Sequence, residues 1–320
     1  MRTLVGIDAL EPPPAGSAIT IGTFDGVHLG HRALIERTIA EATARGCVSC
    51  VVTWDRHPLM TLRPEAAPRL LSTAERKLEL LDSTGIDTVA ILPFTEELSH
   101  LSPEGFVDQV IVKGLNARSV FVGEGWRFGH KRAGDMDLLQ KLGRDNGFEA
   151  APVDLASADG DAVSSSRTRE AVAAGHMNVA WRLLGRPFDI DGLVVGGDKR
   201  GRDLGFPTAN IECAPHLAYP ARGVYAGKAR VEHSWFAAAV NVGVNPTFGG
   251  DPEVTPVRVE AFLLDFEGDL YDQTIRVEFH HRLRDEMRFT SVDELVAQMH
   301  RDVETTRTFA LGTAGSDPAA

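Results

Sequence analysis

Three cysteines in 320 residues, Cys47, Cys50 and Cys213, are too few for a disulfide framework. Cys47-Val48-Ser49-Cys50 has the C-x-x-C spacing, but it opens an apolar, strand-like run in which residues three apart point to opposite faces. No second pair completes a zinc site. Long hydrophobic runs are lacking too: none approaches the roughly 18 residues of a membrane span. The N-terminus carries no charged-then-apolar leader pattern, so a cytoplasmic location is the expectation. Positive charge is scarce, with 33 Lys and Arg against 45 Asp and Glu and a net charge of −12. That balance argues against nucleic acid or an anionic membrane as partner, and any bound phosphate must be gripped by local features. A Gly-x-x-x-x-Gly-Lys-Ser/Thr string is absent, so the chain is not a P-loop protein. Internal repeats are absent as well.

What is present begins with a ten-residue string, Gly22-Thr23-Phe24-Asp25-Gly26-Val27-His28-Leu29-Gly30-His31. It follows an apolar run, Ser17 to Ile21, that reads as a buried strand. It precedes Arg32 to Arg45, where Leu34, Ile35, Ile39 and Ala42 fall at helical spacing. A Gly-rich turn therefore joins a strand to a helix. The first helical turn leaves N–H groups pointing outward at the positive end of the helix dipole. His28 and His31 are three apart and can face one bound group. These are parts for holding nucleotide phosphates while a phosphorus is attacked.

With 43% hydrophobic and 24% charged residues, the chain has a globular composition, and its length suits two domains. In the first half, strand-like runs Ile19–Phe24, Val48–Trp54, Thr88–Phe94 and Ser119–Gly123 alternate with helical stretches Arg32–Arg45, Thr73–Thr84 and Ser102–Lys113. Such alternation implies a parallel sheet covered by helices, with ligands at the carboxyl ends of the strands. There the Gly22–His31 turn, the Trp54–Pro58 segment and the Gly123–Gly129 loop would converge. A further helical piece, Ser164–Ala174, starts with serines followed by arginines, among them Ser165, Ser166 and Arg169, a combination suited to anions.

Around Gly185-Arg186-Pro187 the texture changes. Short alternating β runs follow, Phe188–Val195, Gly223–Val231, Ala237–Val242, Val257–Leu264 and Thr274–Phe279, reading as an all-β barrel or sandwich. An amphipathic helix from about Val292 to Thr305 closes the fold, and the small polar tail 311–320 is expected to be disordered. Between the first β runs lies a basic, glycine-rich turn, Gly196 to Arg202. Its Gly197 and Gly201 let amides approach an anion, and Lys199 and Arg202 add charge. Thr208 and Asn210 lie two apart in an extended segment, so both oxygens fall on one side, as hard ligands suited to Mg²⁺ and nucleotide phosphate. Glu260 is expected on a strand face shared with Phe262 and Leu264, where a buried carboxylate is costly without a task.

The first string resembles the signature of the HxGH nucleotidyltransferases. Gly201-Arg202-Asp203-Leu204-Gly205-Phe206-Pro207-Thr208-Ala209-Asn210 resembles the riboflavin kinase signature. So do Gly223-Val224-Tyr225, Asn245-Pro246-Thr247-Phe248, the Val259–Phe266 strand and Leu283 to Phe289. In this order, from about Ala18 to Arg307, the chain resembles the bacterial bifunctional riboflavin kinase/FAD synthetases.

That resemblance implies an α/β Rossmann-like nucleotidyltransferase domain over 1–184 and a six-stranded riboflavin kinase barrel with a C-terminal helix over 185–310. The implied activities are phosphorylation of riboflavin to FMN and adenylylation of FMN to FAD, with ATP as co-substrate and Mg²⁺ as cofactor. His28 and His31 would contact the ATP phosphates, with Gly22, Phe24, Asp25, Gly30, Ser165, Ser166 and Arg169 binding the nucleotide. In the kinase, Thr208 and Asn210 would hold Mg²⁺ and ATP, and Glu260 would be the base. Arg284 and Phe289 would lie near its flavin. Trp54, Gly125 and Trp126 fall in the flavin-side loops of the adenylyltransferase, where the family usually has Phe, then Asn or Asp followed by Phe. Those departures keep two alternatives open: a kinase whose N-terminal domain has an altered acceptor or no activity, and a non-catalytic flavin- or nucleotide-binding regulator. Expected partners are riboflavin, FMN, FAD and ATP, not nucleic acid or membrane; self-association is left open.

Overall fold

The structure, a computed structural model, describes residues 1–153, 157–158, 161–196, 204–244 and 257–312. The chain folds as two compact units, Met1–Leu70 with Ala74–Ser165, and Leu71–Thr73 with Ser166–Ala320.

The first unit is built on a parallel sheet of β1 (Arg2–Val5), β2 (Ser17–Ile21), β3 (Val48–Trp54), β4 (Thr88–Leu92), β5 (Ala117–Gly123) and β6 (Glu149–Val153). Its strand order is β1-β4-β3-β2-β5-β6, with all neighbours parallel. β2 is buried at every position, as expected of a strand with helices on both faces. The helices are α1 (Leu29–Arg45), α2 (Pro58–Leu62), α3 (Ala74–Asp82), α4 (Glu96–Ser99), α5 (Pro103–Phe106) and α6 (Met136–Asn146). α5 runs on into a π-wound segment, Val107–Gly114. Local chemistry sets their ends. Ser102 caps α5, its hydroxyl accepting from the Gly105 N–H at 3.1 Å, with Pro103 in the first turn. α1 stops at Gly46, which takes φ 63. The strand expected over Ile19–Phe24 ends at Ile21, because Phe24 adopts a left-handed backbone. The small strands β7 (Ser157–Ala158) and β8 (Asp161–Ala162) form an antiparallel pair.

The second unit holds α7 (Ser165–Ala173, from Ser166 on) and α8 (Met177–Leu184), then a closed antiparallel barrel. Its strands are β9 (Phe188–Val195), β10 (Ala209–Cys213), β11 (Gly223–Val231), β12 (Ser234–Val244), β13 (Val257–Leu263) and β14 (Thr274–Arg284). They close in the order β10-β13-β12-β11-β14-β9, so the β-rich half is a six-stranded barrel and not a sandwich. α8 packs on β9 and β14, with the Trp181 ring edge-on to His280 at 5.3 Å. α9 (Val292–Gly312) lies on β11 and β12, where Arg284 of β14 pairs with buried Asp302.

Candidate active sites

At the carboxyl end of β2 the chain turns sharply, and the turn is strained. Phe24 has φ 51 and Val27 φ 41, with Gly26 at φ 75 between them. A β-branched residue such as valine avoids that region, and each such residue costs about 1–3 kcal/mol. Both side chains are fully buried. The turn delivers His28 as the N-cap of α1, its Nδ1 accepting from the His31 N–H at 3.2 Å, which leaves the ring proton on Nε2. The two imidazoles stack, with centroids 3.6 Å apart and planes 14° from parallel. Position 30 is tight: a Cβ there would lie 3.1 Å from the Val163 carbonyl and 3.2 Å from the His28 ring, so a side chain would require both to give by a few tenths of an ångström. A Cβ on Gly22 would press on the Phe24 ring at 3.1 Å. Asp25 is buried, and its carbonyl accepts from the Ser165 hydroxyl at 3.3 Å, which brings Ser165 to the turn. Ser166 is exposed and Arg169 half-buried on α7.

Beside the turn, at the end of β3, Trp54 meets Phe94 edge-on at 5.5 Å. A row of rings runs from Trp54 to Phe106 at 6.3 Å, to Phe128 at 6.1 Å and to Trp126 at 4.8 Å, the last pair stacked. Trp126 and Gly125 line a cavity of about 260 Å³ between the carboxyl ends of β5 and β6, with Glu124, Asp135 and Pro152. Gly125 has φ 71 and open space where a side chain would stand. Lys77 of α3, a residue the sequence pattern did not single out, is buried against this end of the sheet. Its amine donates to the Trp54 carbonyl at 2.7 Å, and burial pushes its pKa down to about 8 against the opposing pull of Asp25 and Asp55.

In the barrel, register sets Asn210 of β10 and Asn241 of β12 directly across from Glu260 of β13. The structure keeps Glu260 on the face it shares with Phe262 but corrects the expectation that this face is buried. Val259, Ala261 and Leu263 point inward and are buried, whereas Glu260 is on the outer side with 26% of its side chain exposed. Its carboxylate pairs with Arg258 at 2.8 Å, so it is not a buried charge lacking a partner. The same guanidinium donates to Asn210 Oδ1 at 2.8 Å. A carboxylate oxygen and an amide oxygen thus converge on one cation, a donor set that equally fits a hard metal ion. Half-buried Thr208 immediately precedes β10. Glu286 reaches over Gly243, where a Cβ would lie 2.5 Å from its carboxylate. Arg258 was not singled out beforehand, and its bond to Asn210 comes from another strand; Glu286 lay within the Leu283 to Phe289 string without a role of its own. Arg284 holds Asp302 through Nη2 at 2.7 Å, and its guanidinium lies 5.9 Å from the Phe289 ring. Gly197, Lys199, Gly201 and Arg202 lie outside the described residues, as does the Asn245–Phe248 string.

A family model described as FAD synthetase matches residues 11–167, and one described as riboflavin kinase matches 184–310. The bifunctional riboflavin kinase/FMN adenylyltransferase of Pseudomonas fluorescens is 39% identical over 98% of this chain and 99% of its own length. This chain belongs to that bifunctional family. A further riboflavin kinase/FMN adenylyltransferase, from Escherichia coli K12, is 37% identical over 97% of this chain and 98% of its own. Among solved structures, one titled as a macrolide-efflux protein from Streptococcus pneumoniae superposes with a TM-score of 0.86 at 29% identity. It covers 96% of this chain and 99% of that one. Its title speaks of efflux for that protein; among the described residues here, no helix is long and apolar enough to cross a membrane. For this riboflavin kinase/FMN adenylyltransferase family member, the sheet-end turn falls within the first family match and the Asn210–Glu260 row within the second.

Proposed function

We propose that the chain makes FAD in two steps. Riboflavin attacks the γ-phosphorus of ATP to give FMN and ADP, and the FMN phosphate then attacks the α-phosphorus of a second ATP to give FAD and pyrophosphate. One observation carries this reading: both family domains follow each other on a single chain. Both transfers demand in-line placement and neutralised phosphate charge more than covalent help from the protein.

We assign adenylyl transfer to residues 1–184 and phosphorylation to 185–310. In the first, the Nε2–H of His28 and the ring of His31 stabilise charge on the nucleotide phosphates. Gly22, Phe24, Asp25 and Gly30 shape the turn, and the α1 amides with Ser165 complete the anion site; Ser166 and Arg169 are assigned as nucleotide-binding residues. Trp54 and Trp126 offer apolar faces to the flavin. In the kinase, Glu260 accepts the proton of the ribityl hydroxyl, and Arg258 holds that carboxylate in place beforehand. Mg²⁺, when bound, neutralises charge on the ATP phosphates, and Thr208 and Asn210 would hold it. Gly197, Lys199, Gly201 and Arg202 supply further phosphate contacts, and Arg284 and Phe289 sit at the flavin end.

Pure protein incubated with riboflavin, ATP and Mg²⁺, its products read by mass, tests the reading. FMN and FAD together support it. FMN alone, with no pyrophosphate released when FMN is supplied, leaves a kinase with an altered or inactive first domain; neither product leaves a flavin- or nucleotide-binding regulator.

A further inference from the structure

Among the described residues of the parallel-sheet unit, Lys77 is the one lysine or arginine buried from solvent, with 9% exposure, and the two-step reading gives it no task. A buried ammonium is costly, and packing alone would be better served by an apolar side chain of similar length. Its contacts point elsewhere. The amine donates to the Trp54 carbonyl at 2.7 Å and to Thr53 Oγ1 at 3.3 Å. Thr53 Oγ1 in turn donates to the Thr23 carbonyl at 3.1 Å. The polarity of this chain is forced: an ammonium cannot accept, so the Thr53 hydroxyl receives from it and directs its single O–H at Thr23. One amine therefore ties α3 to the end of β3 and to the turn after β2. α3 also packs directly on the Asp25–Val27 part of that turn. Thr23 adjoins Phe24, the first of the strained residues, and strained backbone persists only where its surroundings over-determine it.

We propose that Lys77 is a positioning residue for adenylyl transfer, its protonated amine fixing, through the Thr53 hydroxyl, the strained turn that presents His28 and His31. The inference rests on the adenylyltransferase reading of this unit. The charged groups facing the amine are Asp25 from the turn and Asp55 from the end of β3, the latter also held by the Phe94 N–H at 2.8 Å and by Arg56 at 3.0 Å. Burial outweighs their pull and sets the amine's pKa at about 8. Below that value the amine is protonated and the relay has one direction. Above it the neutral amine can accept, and the Thr53 hydroxyl is released from Thr23.

The test uses the full chain, with riboflavin phosphorylation as an internal control. FAD formation by the wild type is the reference; its absence would refute the two-step reading and leave no positioned reaction. Against an active wild type, Lys77→Met and Thr53→Val should each lower kcat for FAD formation by on the order of 10- to 100-fold, the scale of a small misplacement of reacting groups. FMN formation should be unchanged. The double variant should be no worse than the weaker single variant, because both break one relay. Thr53→Ser should stay near wild type. Wild-type FAD formation should decline above about pH 8, a decline absent from Lys77→Met. Wild-type kcat in either single variant, an additive double variant, or loss of both activities together would overturn the proposal. Where Lys77→Met does not fold, the Thr53→Val and Thr53→Ser pair decides with the wild-type profile, and a flat profile to pH 9.5 refutes the role.

Discussion

His28 has two jobs in this geometry, and a pair of substitutions separates them. It caps α1 through Nδ1, and it stacks on His31 at 3.6 Å while 3% exposed. His28→Ala removes the cap, worth about 1 kcal/mol, and the ring pair, worth about 0.5–1.5 kcal/mol, for a loss of about 2 kcal/mol in stability. Asparagine is among the best N-caps, so His28→Asn should recover about half of that loss. In a unit of this size, the recovered 1 kcal/mol appears as a difference of about 2–4 °C in Tm between the variants. Adenylyl transfer should not follow the same order. Neither variant has an imidazole Nε2–H, so both should lose about 3 kcal/mol of transition-state stabilisation, a rate loss of about 100-fold. Thermal unfolding followed by circular dichroism gives the first quantity. FAD formed from FMN and ATP gives the second, with FMN formed from riboflavin as control. If FAD formation recovers in His28→Asn along with stability, His28 serves the helix cap and not the phosphates. Loss of FMN formation in either variant would show that the two activities are not independent.

Glu260→Gln should lower FMN formation by roughly 10²–10⁴-fold while FAD formation from supplied FMN continues; near-normal kinase turnover would remove Glu260 from the mechanism. A fragment starting at Gly185, where the sequence texture changes, should phosphorylate riboflavin but unfold at lower temperature than one starting at Ser166. The shorter fragment lacks Met177, Ala180, Leu183 and Leu184, which are at most 2% exposed, and each large apolar side chain buried there contributes about 1.5–3 kcal/mol. Equal melting of the two fragments would show that α8 does not support the barrel. Gly125→Asn places an amide in open space at a left-handed position that asparagine tolerates. FMN binding should tighten by about 1–2 kcal/mol in titrations with a non-hydrolysable ATP analogue, and unchanged affinity would mean that the flavin does not use this position.

Most of the core was legible because its signal is local. β3, β9 and β11 coincide with the runs read from apolar and β-branched residues. Ser102-Pro103 announced its helix through chemistry confined to four residues. The segments that escaped have weak local patterns: β1 has a single buried residue, and β6 carries Pro152 and an exposed Glu149 at the sheet edge. β10 is five residues behind a Gly-Pro turn, and it is a strand because β9 and β13 flank it.

The sites divide in the same way. Glycines at 22 and 30 and histidines at 28 and 31 act over ten residues, so their spacing alone determined a tight strand-to-helix turn that presents two histidines. The strain at Phe24 and Val27 did not show, since nothing in a phenylalanine or a valine announces a positive φ. That Glu260 shares a face with Phe262 was legible from strand alternation; that this face is the barrel's outer one was not, because Phe262 is covered from outside by Phe206. Lys77 meets Thr53 across 24 positions, and Arg258 meets Asn210 across 48. A sequence specifies short-range periodicity and capping directly. The groups that accept from a buried amine, or the amide that shares a guanidinium with a carboxylate, are decided only when distant segments close beside each other.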